Sequence, residues 1–144
     1  MGNLQESRKI MASEWKAYVD GSYYHKKIGY GAILIRNNEI VKELFGLVPK
    51  EFSHSRQVGG ELYAVIQVVK WCLKEKIKEI TIYFDYWGIQ KWVTGEWRAN
   101  LQLTQNYTSF IRNSNVLIHW QKVRSHSDDQ WNQHVDELAK KGTI

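Results

Sequence analysis

The sequence predicts an α/β domain built on one mixed five-stranded sheet, in the strand order 3-2-1-4-5, with flanking helices. Three observations support this fold class. Apolar and polar residues alternate in the first third of the chain, as is typical of strands. From residue 61 the apolar residues recur at offsets of three and four, which indicates a helix. Strand and helix patterns then alternate, which favours parallel strands joined by right-handed crossovers.

The first three strands are predicted over residues 15–20, 30–35 and 40–48. A glycine-containing loop over residues 21–27 separates the first two strands. A hairpin turn over residues 36–39 connects the second strand to the third. These short connections predict an antiparallel trio.

The rest of the chain alternates between helix and strand patterns. The best helix begins at Glu61, after a loop that ends at Gly59 and Gly60, and carries its apolar residues on one face. The later predicted elements are a strand at 79–85, short helices at 88–94 and 104–112, a strand at 116–123 and a closing helix at 131–141. Strands one, four and five are expected to run parallel.

Four carboxylates occupy positions that this topology can bring together. Asp20 and Asp85 end strands one and four, and the strand order puts the topological switch between these strands, where open α/β sheets bind ligands. Glu61 opens a helix, and Asp136 lies in the closing helix. Converging acids raise each other's pKa unless cations compensate their charge, and hard cations select oxygen ligands. The pattern therefore predicts a Mg²⁺ or Mn²⁺ site.

Each acid also has a simpler interpretation. Asp20 next to a glycine is typical of a turn, and Asp85 after a strand can cap the following helix. Glu61 in a first helical turn can complement the helix dipole, and Asp136 can pair with Lys140 four residues later. Four such coincidences at one end of one sheet are less probable than a single metal site.

Composition limits the function classes. A chain of 144 residues with 43% hydrophobic content predicts one domain, over residues 14–144, preceded by a disordered arm over residues 1–13. The net charge of +5 predicts a polyanionic partner, with nucleic acid as the leading candidate. A single cysteine excludes an internal disulfide framework, and no apolar run reaches the roughly 18 residues of a membrane span. We expect a cytoplasmic protein without membrane or obligate protein partners, acting as a monomer.

Several short motifs together give the chain a family resemblance. They are Tyr18-Val19-Asp20-Gly21-Ser22, Gly60-Glu61-Leu62-Tyr63-Ala64, Tyr83-Phe84-Asp85, His126 in a polar loop, and Asp136-Glu137-Leu138-Ala139. In order and spacing this set resembles type 1 ribonuclease H over about residues 15–141. The segment 82–97 looks closest to bacterial members that often carry an N-terminal hybrid-binding module. We expect this module to be absent here, because too few residues precede the first strand to form it.

The resemblance implies endonucleolytic hydrolysis of the RNA strand in an RNA–DNA hybrid, leaving 3′-hydroxyl and 5′-phosphate ends. By position, the resemblance makes Asp20, Glu61, Asp85 and Asp136 the ligands of two divalent ions, Mg²⁺ or Mn²⁺. It makes His126 a residue that relays a proton or assists product release.

The expected nucleic-acid contacts follow the resemblance for Lys91, Trp97 and Arg98, whereas those of Gly59 and Gly60 follow from the close approach that glycine amides permit. The full set is Gly21, Ser22, Gly59, Gly60, Lys91, Trp97 and Arg98. The chain also departs from the better-known pattern: Gln57-Val58-Gly59-Gly60 stands where many members carry asparagines, and Tyr86-Trp87 where they carry Ser-Gln. A basic helix found in some members is expected to be short or missing between residues 95 and 104. These differences leave hybrid affinity and the choice between Mg²⁺ and Mn²⁺ open.

Two other functions fit part of the pattern. A DNA nuclease of related fold, such as a junction resolvase or a transposase core, would also cluster acids on a similar sheet. A noncatalytic nucleic-acid-binding module on the same scaffold would be expected to lack at least one acid. The ordered set Asp20, Glu61, Asp85, His126 and Asp136 favours the hybrid nuclease.

Overall fold

A computed structural model describes residues 14–124 and 129–144, without the side chains of residues 53–55. Its strands are β1 (Trp15–Tyr24), β2 (Lys27–Arg36), β3 (Glu39–Leu47), β4 (Glu79–Phe84) and β5 (Leu117–Lys122). Its α-helices are α1 (Arg56–Lys74), α2 (Gly88–Thr94), α3 (Gln102–Asn113) and α4 (Gln130–Lys141), and a 3-10 helix (Lys50–Ser55) precedes α1.

The five strands form one sheet in the order β3-β2-β1-β4-β5, as predicted. The pairs β1–β2 and β2–β3 are antiparallel, whereas β4 is parallel to both β1 and β5. In the described part of the chain, none of the helices has the length and apolar character needed to cross a bilayer.

The alternation along β1 divides the apolar core between the two faces of the sheet. Ala17 and Val19 belong to the larger cluster, which also contains the buried residues of α1. Tyr18 belongs to the smaller cluster, together with Val135 and Leu138 of α4. The two faces therefore hold α1 and α4 on opposite sides of the sheet.

The first strand is longer than predicted. β1 continues past Asp20 and pairs with β2 as far as Tyr24 opposite Lys27, so the predicted loop over residues 21–27 is wrong for most of its length. The turn consists of His25 and Lys26, which have positive φ values of 50° and 64°. Asp20 nevertheless marks the end of the parallel contact, because the last β1–β4 pair joins Tyr18 to Tyr83.

The main helix also begins earlier than predicted, at Arg56 instead of Glu61. Glycines are poor helix formers, which is why Gly59 and Gly60 suggested a loop. A Cβ atom at Gly60 would lie 2.5 Å from the carbonyl oxygen of Gly29 and 2.8 Å from the Cα of Gly21. The first turns of α1 therefore pack directly on the backbone of β1 and β2, and this close approach outweighs the weak helix propensity.

Candidate active site

Glu61 is the most buried of the four predicted acids, with 3% of its surface exposed. Its Oε2 accepts a hydrogen bond from the backbone N–H of Asp85 at 2.6 Å, and its Oε1 accepts one from the N–H of Tyr86 at 3.1 Å. Burial raises the pKa of Glu61 to about 8, although both amides act in the opposite direction; the charges of Asp20 and Asp85 raise it further.

Asp20 lies two residues after Tyr18, on the same face of β1. Its Oδ1 accepts a hydrogen bond from the N–H of Gly21 at 2.9 Å. Burial raises the pKa of Asp20 to about 7, opposed by the Gly21 amide and assisted by the carboxyls of Asp136 and Asp85. Asp20 is thus electrostatically coupled to each of the other three acids.

Asp85 and Asp136 are more exposed, and each has a lysine partner. Lys122 Nζ lies 3.6 Å from Asp85 Oδ1, and Lys140 Nζ lies 3.0 Å from Asp136 Oδ2. The second pair is the i, i+4 bridge that the sequence offered as an alternative for Asp136. Asp136 also interacts with Asp20, so the bridge and the acid cluster exist together.

The four acids interact through their charges, but their side chains are not gathered into a preformed metal site. Among residues 14–124 and 129–144, no three Asp, Glu, His or Cys side chains are arranged closely enough to hold a metal ion. The donor chemistry still fits a hard divalent cation, since the four side chains offer only carboxylate oxygens. The raised pKa values of Asp20 and Glu61 also show that their negative charge is poorly compensated.

The amino end of α4 is fixed next to this cluster. Asp129 caps the helix by accepting a hydrogen bond from the N–H of Trp131 at 2.9 Å. Its other oxygen accepts a hydrogen bond from the Tyr18 hydroxyl at 2.6 Å. Since Tyr18 stacks on Tyr83 at 4.3 Å, this contact links the helix that carries Asp136 to β1 and β4. The predicted loop histidine, His126, lies outside the described residues.

The predicted glycine contacts are placed in the packing between α1 and the sheet. Gly59 and Gly60 are buried in α1, and a Cβ atom at Gly21 would lie 2.1 Å from the carbonyl oxygen of Gln57. Ser22 lies in β1 opposite Gly29. The structure thus gives Gly21 and Gly60 a packing role, while their contact with nucleic acid stays a prediction.

An aromatic surface lies beside Asp85 and consists of Tyr86, Trp87, Trp92 and Trp97. The rings of Tyr86, Trp92 and Trp97 lie within 5.9 to 6.2 Å of one another. Lys91 Nζ lies 5.1 Å from the centre of the Trp87 ring and 5.8 Å from that of Trp97. Two predicted contacts, Lys91 and Trp97, therefore belong to one surface.

Arg98 is exposed next to this surface, directly after Trp97. No helix lies between Thr94 and Gln102 in this described segment, in agreement with the expected loss of the basic helix.

Sequence interpretation missed two features of the site, the amide contacts to Glu61 and the lysine at Asp85. Lys122 pairs with Phe84 across the parallel β4–β5 ladder, which brings it next to Asp85. The sequence held one signal for the lysine: the predicted neighbour strands β4 and β5 end close to an aspartate and a lysine, respectively.

The sequence model of the ribonuclease H family, described as RNase H, matches residues 12–144. The chain belongs to the ribonuclease H family. A ribonuclease H from Francisella philomiragia is 35% identical over 129 residues, which cover 78% of each chain. The predicted resemblance and the predicted enzyme class, a ribonuclease H hydrolase, are thereby confirmed.

Solved ribonuclease H structures share the fold. RNase H1 from the archaeon Halobacterium salinarum NRC-1 gives a TM-score of 0.70 at 20% identity, covering 89% of this chain and 96% of that one. The structure of LC11-RNase H1 in complex with an RNA/DNA hybrid gives a TM-score of 0.73 at 13% identity, and the match covers 90% of this chain and 96% of that one. The predicted sheet with the order 3-2-1-4-5 is the sheet of this ribonuclease H fold.

Proposed function

We propose that this ribonuclease H hydrolyses the RNA strand of RNA–DNA hybrids with two divalent cations, leaving 3′-hydroxyl and 5′-phosphate ends. The observation that carries the proposal is the electrostatic coupling of Asp20 to Glu61, Asp85 and Asp136, close to the point where the parallel pairing of β1 with β4 ends. Family membership and the similarity of the fold to an RNase H1 that binds an RNA/DNA hybrid support the substrate.

The four acids would hold the cations, Mg²⁺ or Mn²⁺. Bound at this position, such ions would neutralise phosphate charge and would activate water for attack on phosphorus. The protein contributes the positioning that phosphoryl transfer requires, because the buried Glu61 fixes the backbone at Asp85 and Tyr86. His126 would move a proton or assist product release, as the resemblance implies.

The aromatic surface beside Asp85 would hold the hybrid. Lys91 would contact phosphate on this surface, and Trp97 and Tyr86 offer partly exposed rings for contact with sugars or bases. Discrimination of RNA from DNA would rest on 2′-hydroxyl contacts in the wide minor groove. We further propose a monomeric enzyme of the cytoplasm, a reducing compartment in which the single, buried Cys72 needs no disulfide partner.

A cleavage assay with end-labelled substrates tests the proposal. The purified protein is incubated with RNA–DNA hybrid, single-stranded RNA, duplex DNA and a four-way junction, each with Mg²⁺, Mn²⁺ or EDTA. We expect cleavage of the RNA strand of the hybrid alone, and only with a divalent ion. The cleaved RNA should prime a DNA polymerase without end repair, as a 3′-hydroxyl does. Cleavage of the junction, or cleavage in EDTA, would contradict the proposal.

A further inference from the structure

We propose that Lys122 is a positioning residue that acts as an internal counter-ion of Asp85 in the metal-free enzyme and competes there with the divalent cation. The proposal rests on the metal site of the proposed function. It adds a residue outside the acid set, on a strand that contributes none of the four carboxylates.

The backbone places Lys122 firmly beside Asp85. Lys122 pairs with Phe84 in the β4–β5 ladder, and the next residue, Val123, donates a backbone hydrogen bond to the carbonyl oxygen of Phe84 at 2.8 Å. The pairing of these two segments therefore continues to the residue just before Asp85. This fixes the distance between the Lys122 backbone and the acid.

The side chain of Lys122 is held on three sides. Its Nζ lies 3.6 Å from Asp85 Oδ1, donates a hydrogen bond to the carbonyl oxygen of Val123 at 2.7 Å, and lies 5.8 Å from the centre of the Trp87 ring. The Lys122 side chain is 24% exposed, whereas that of Lys140, which pairs with Asp136, is 66% exposed. Of the two lysines paired with Asp85 and Asp136, Lys122 is thus the more buried.

Charge explains why Lys122 and a metal ion compete. A cation bound to Asp85 would lie about 2 Å from the carboxylate oxygen, and therefore only a few ångströms from the Lys122 ammonium. The repulsion between the ammonium and a doubly charged ion outweighs the attraction between the ammonium and one carboxylate at similar distances. Without metal, however, the same ammonium offsets the repulsion among the acids.

Two effects of opposite sign follow for Lys122→Met. The metal-free protein loses the counter-ion and should unfold at a lower temperature than the unmodified protein. The affinity for Mn²⁺ should rise, by about threefold or more, since a nearby positive charge is removed. A residue that only supported packing would lower the unfolding temperature equally with and without metal.

The experiment measures Mn²⁺ binding by calorimetry and thermal unfolding in EDTA and in saturating Mn²⁺, without nucleic acid. Lys122→Arg keeps the charge and should behave like the unmodified protein. Lys122→Gln keeps a donor for the Val123 carbonyl without the charge, so it should reproduce the methionine variant and replaces it if that variant does not fold. Lys78→Met, at an exposed position just before β4 and at the opposite end of that strand, is the control and should change neither quantity.

The possible failures are distinguishable. If the unmodified protein binds no Mn²⁺, the metal site of the proposed function is refuted, and this inference is refuted with it. If it binds Mn²⁺ and the uncharged variants bind equally or more weakly, only the role of Lys122 is overturned. An equal loss of unfolding temperature in both conditions would also overturn it.

Discussion

The buried carboxylate of Glu61 accepts the backbone N–H of Asp85 at 2.6 Å, so one acid of the site holds the main chain of another. Glu61 comes from α1, and Asp85 follows β4. This contact joins the helix to the end of β4, and the same Glu61 carboxylate interacts electrostatically with Asp20 on β1. The site therefore depends on the docking of α1 as much as on the sheet.

Asp85→Asn should abolish metal-dependent hybrid cleavage, by a factor of about 10³ or more, without unfolding the protein. The amide keeps the shape of the side chain but loses the charge that a divalent cation requires. Activity is measured on labelled hybrid, and folding by circular dichroism. Glu79→Gln, at the amino end of β4, is the matched control and should retain full activity. Retained turnover in the Asp85 variant would refute its assigned role.

His126→Ala should slow cleavage without abolishing it, about 10- to 100-fold, because a positioned acid or base accelerates a reaction that the acids and cations can still perform. The rate is measured under single-turnover and multiple-turnover conditions, which separate the proton relay from product release. His119→Ala, on β5, provides a control with an exposed histidine. An unchanged rate in both regimes would remove His126 from the mechanism.

The metal-free protein should lose stability as the pH rises from about 5 to about 8. The pKa of Asp20 is raised from 3.8 to about 7 and that of Glu61 from 4.5 to about 8, so the folded state keeps protons that the unfolded chain has already lost. Stability falls with pH wherever the folded state binds more protons. Thermal unfolding in EDTA as a function of pH measures this loss.

Asp20→Asn serves as the comparison for that pH profile. The variant lacks one of the two titrating acids, so its stability should fall less steeply over the same range. A variant profile as steep as that of the unmodified protein would show that Asp20 does not carry the effect.

Gly21→Ala should destabilise the fold by about 2 kcal/mol or more, because a new Cβ atom would meet backbone atoms that cannot move independently. Its nearest neighbours would be the carbonyl oxygen of Gln57 at 2.1 Å and the N atom of Glu61 at 2.6 Å. Chemical denaturation measures the loss. Gly46→Ala is the control, since its Cβ would lie 3.4 Å from the Tyr30 ring. Equal stability of the two variants would contradict this packing account.

Lys91→Met should weaken hybrid binding. The slope of the logarithm of the binding constant against the logarithm of the salt concentration should become shallower by about one or less, as expected for the loss of at most one phosphate contact. Lys91 lies between the rings of Trp87 and Trp97 on the surface beside Asp85. Binding is measured by fluorescence anisotropy at several salt concentrations, with the inactive Asp85→Asn background to prevent cleavage. Lys74→Met, in the last turn of α1, is the control for loss of one positive charge. The same weakening in both variants would indicate only a general charge effect.

The sequence by itself determined the order of the elements, and it singled out the four acids that the site is proposed to use. Ala17 and Val19 recur with a period of two, and the apolar residues after Glu61 recur with a helical period. Both periods arise because these residues are buried in one apolar cluster, and burial of one face produces a regular pattern in the sequence. That is why the strand order could be predicted from short and crossover connections.

Tertiary structure decided where the main helix begins and which distant residues meet at the acids. Gly59 and Gly60 suggested a loop, yet they lie in α1, because the helix must approach the backbone of β1 and β2 more closely than a side chain permits. The raised pKa of Glu61 and the pairing of Lys122 with Asp85 likewise arise from residues far apart in the chain. Burial and charge–charge distance are properties of the folded arrangement, so only the fold determined that Lys122 compensates Asp85, whereas the i, i+4 pair of Lys140 with Asp136 was visible in the sequence.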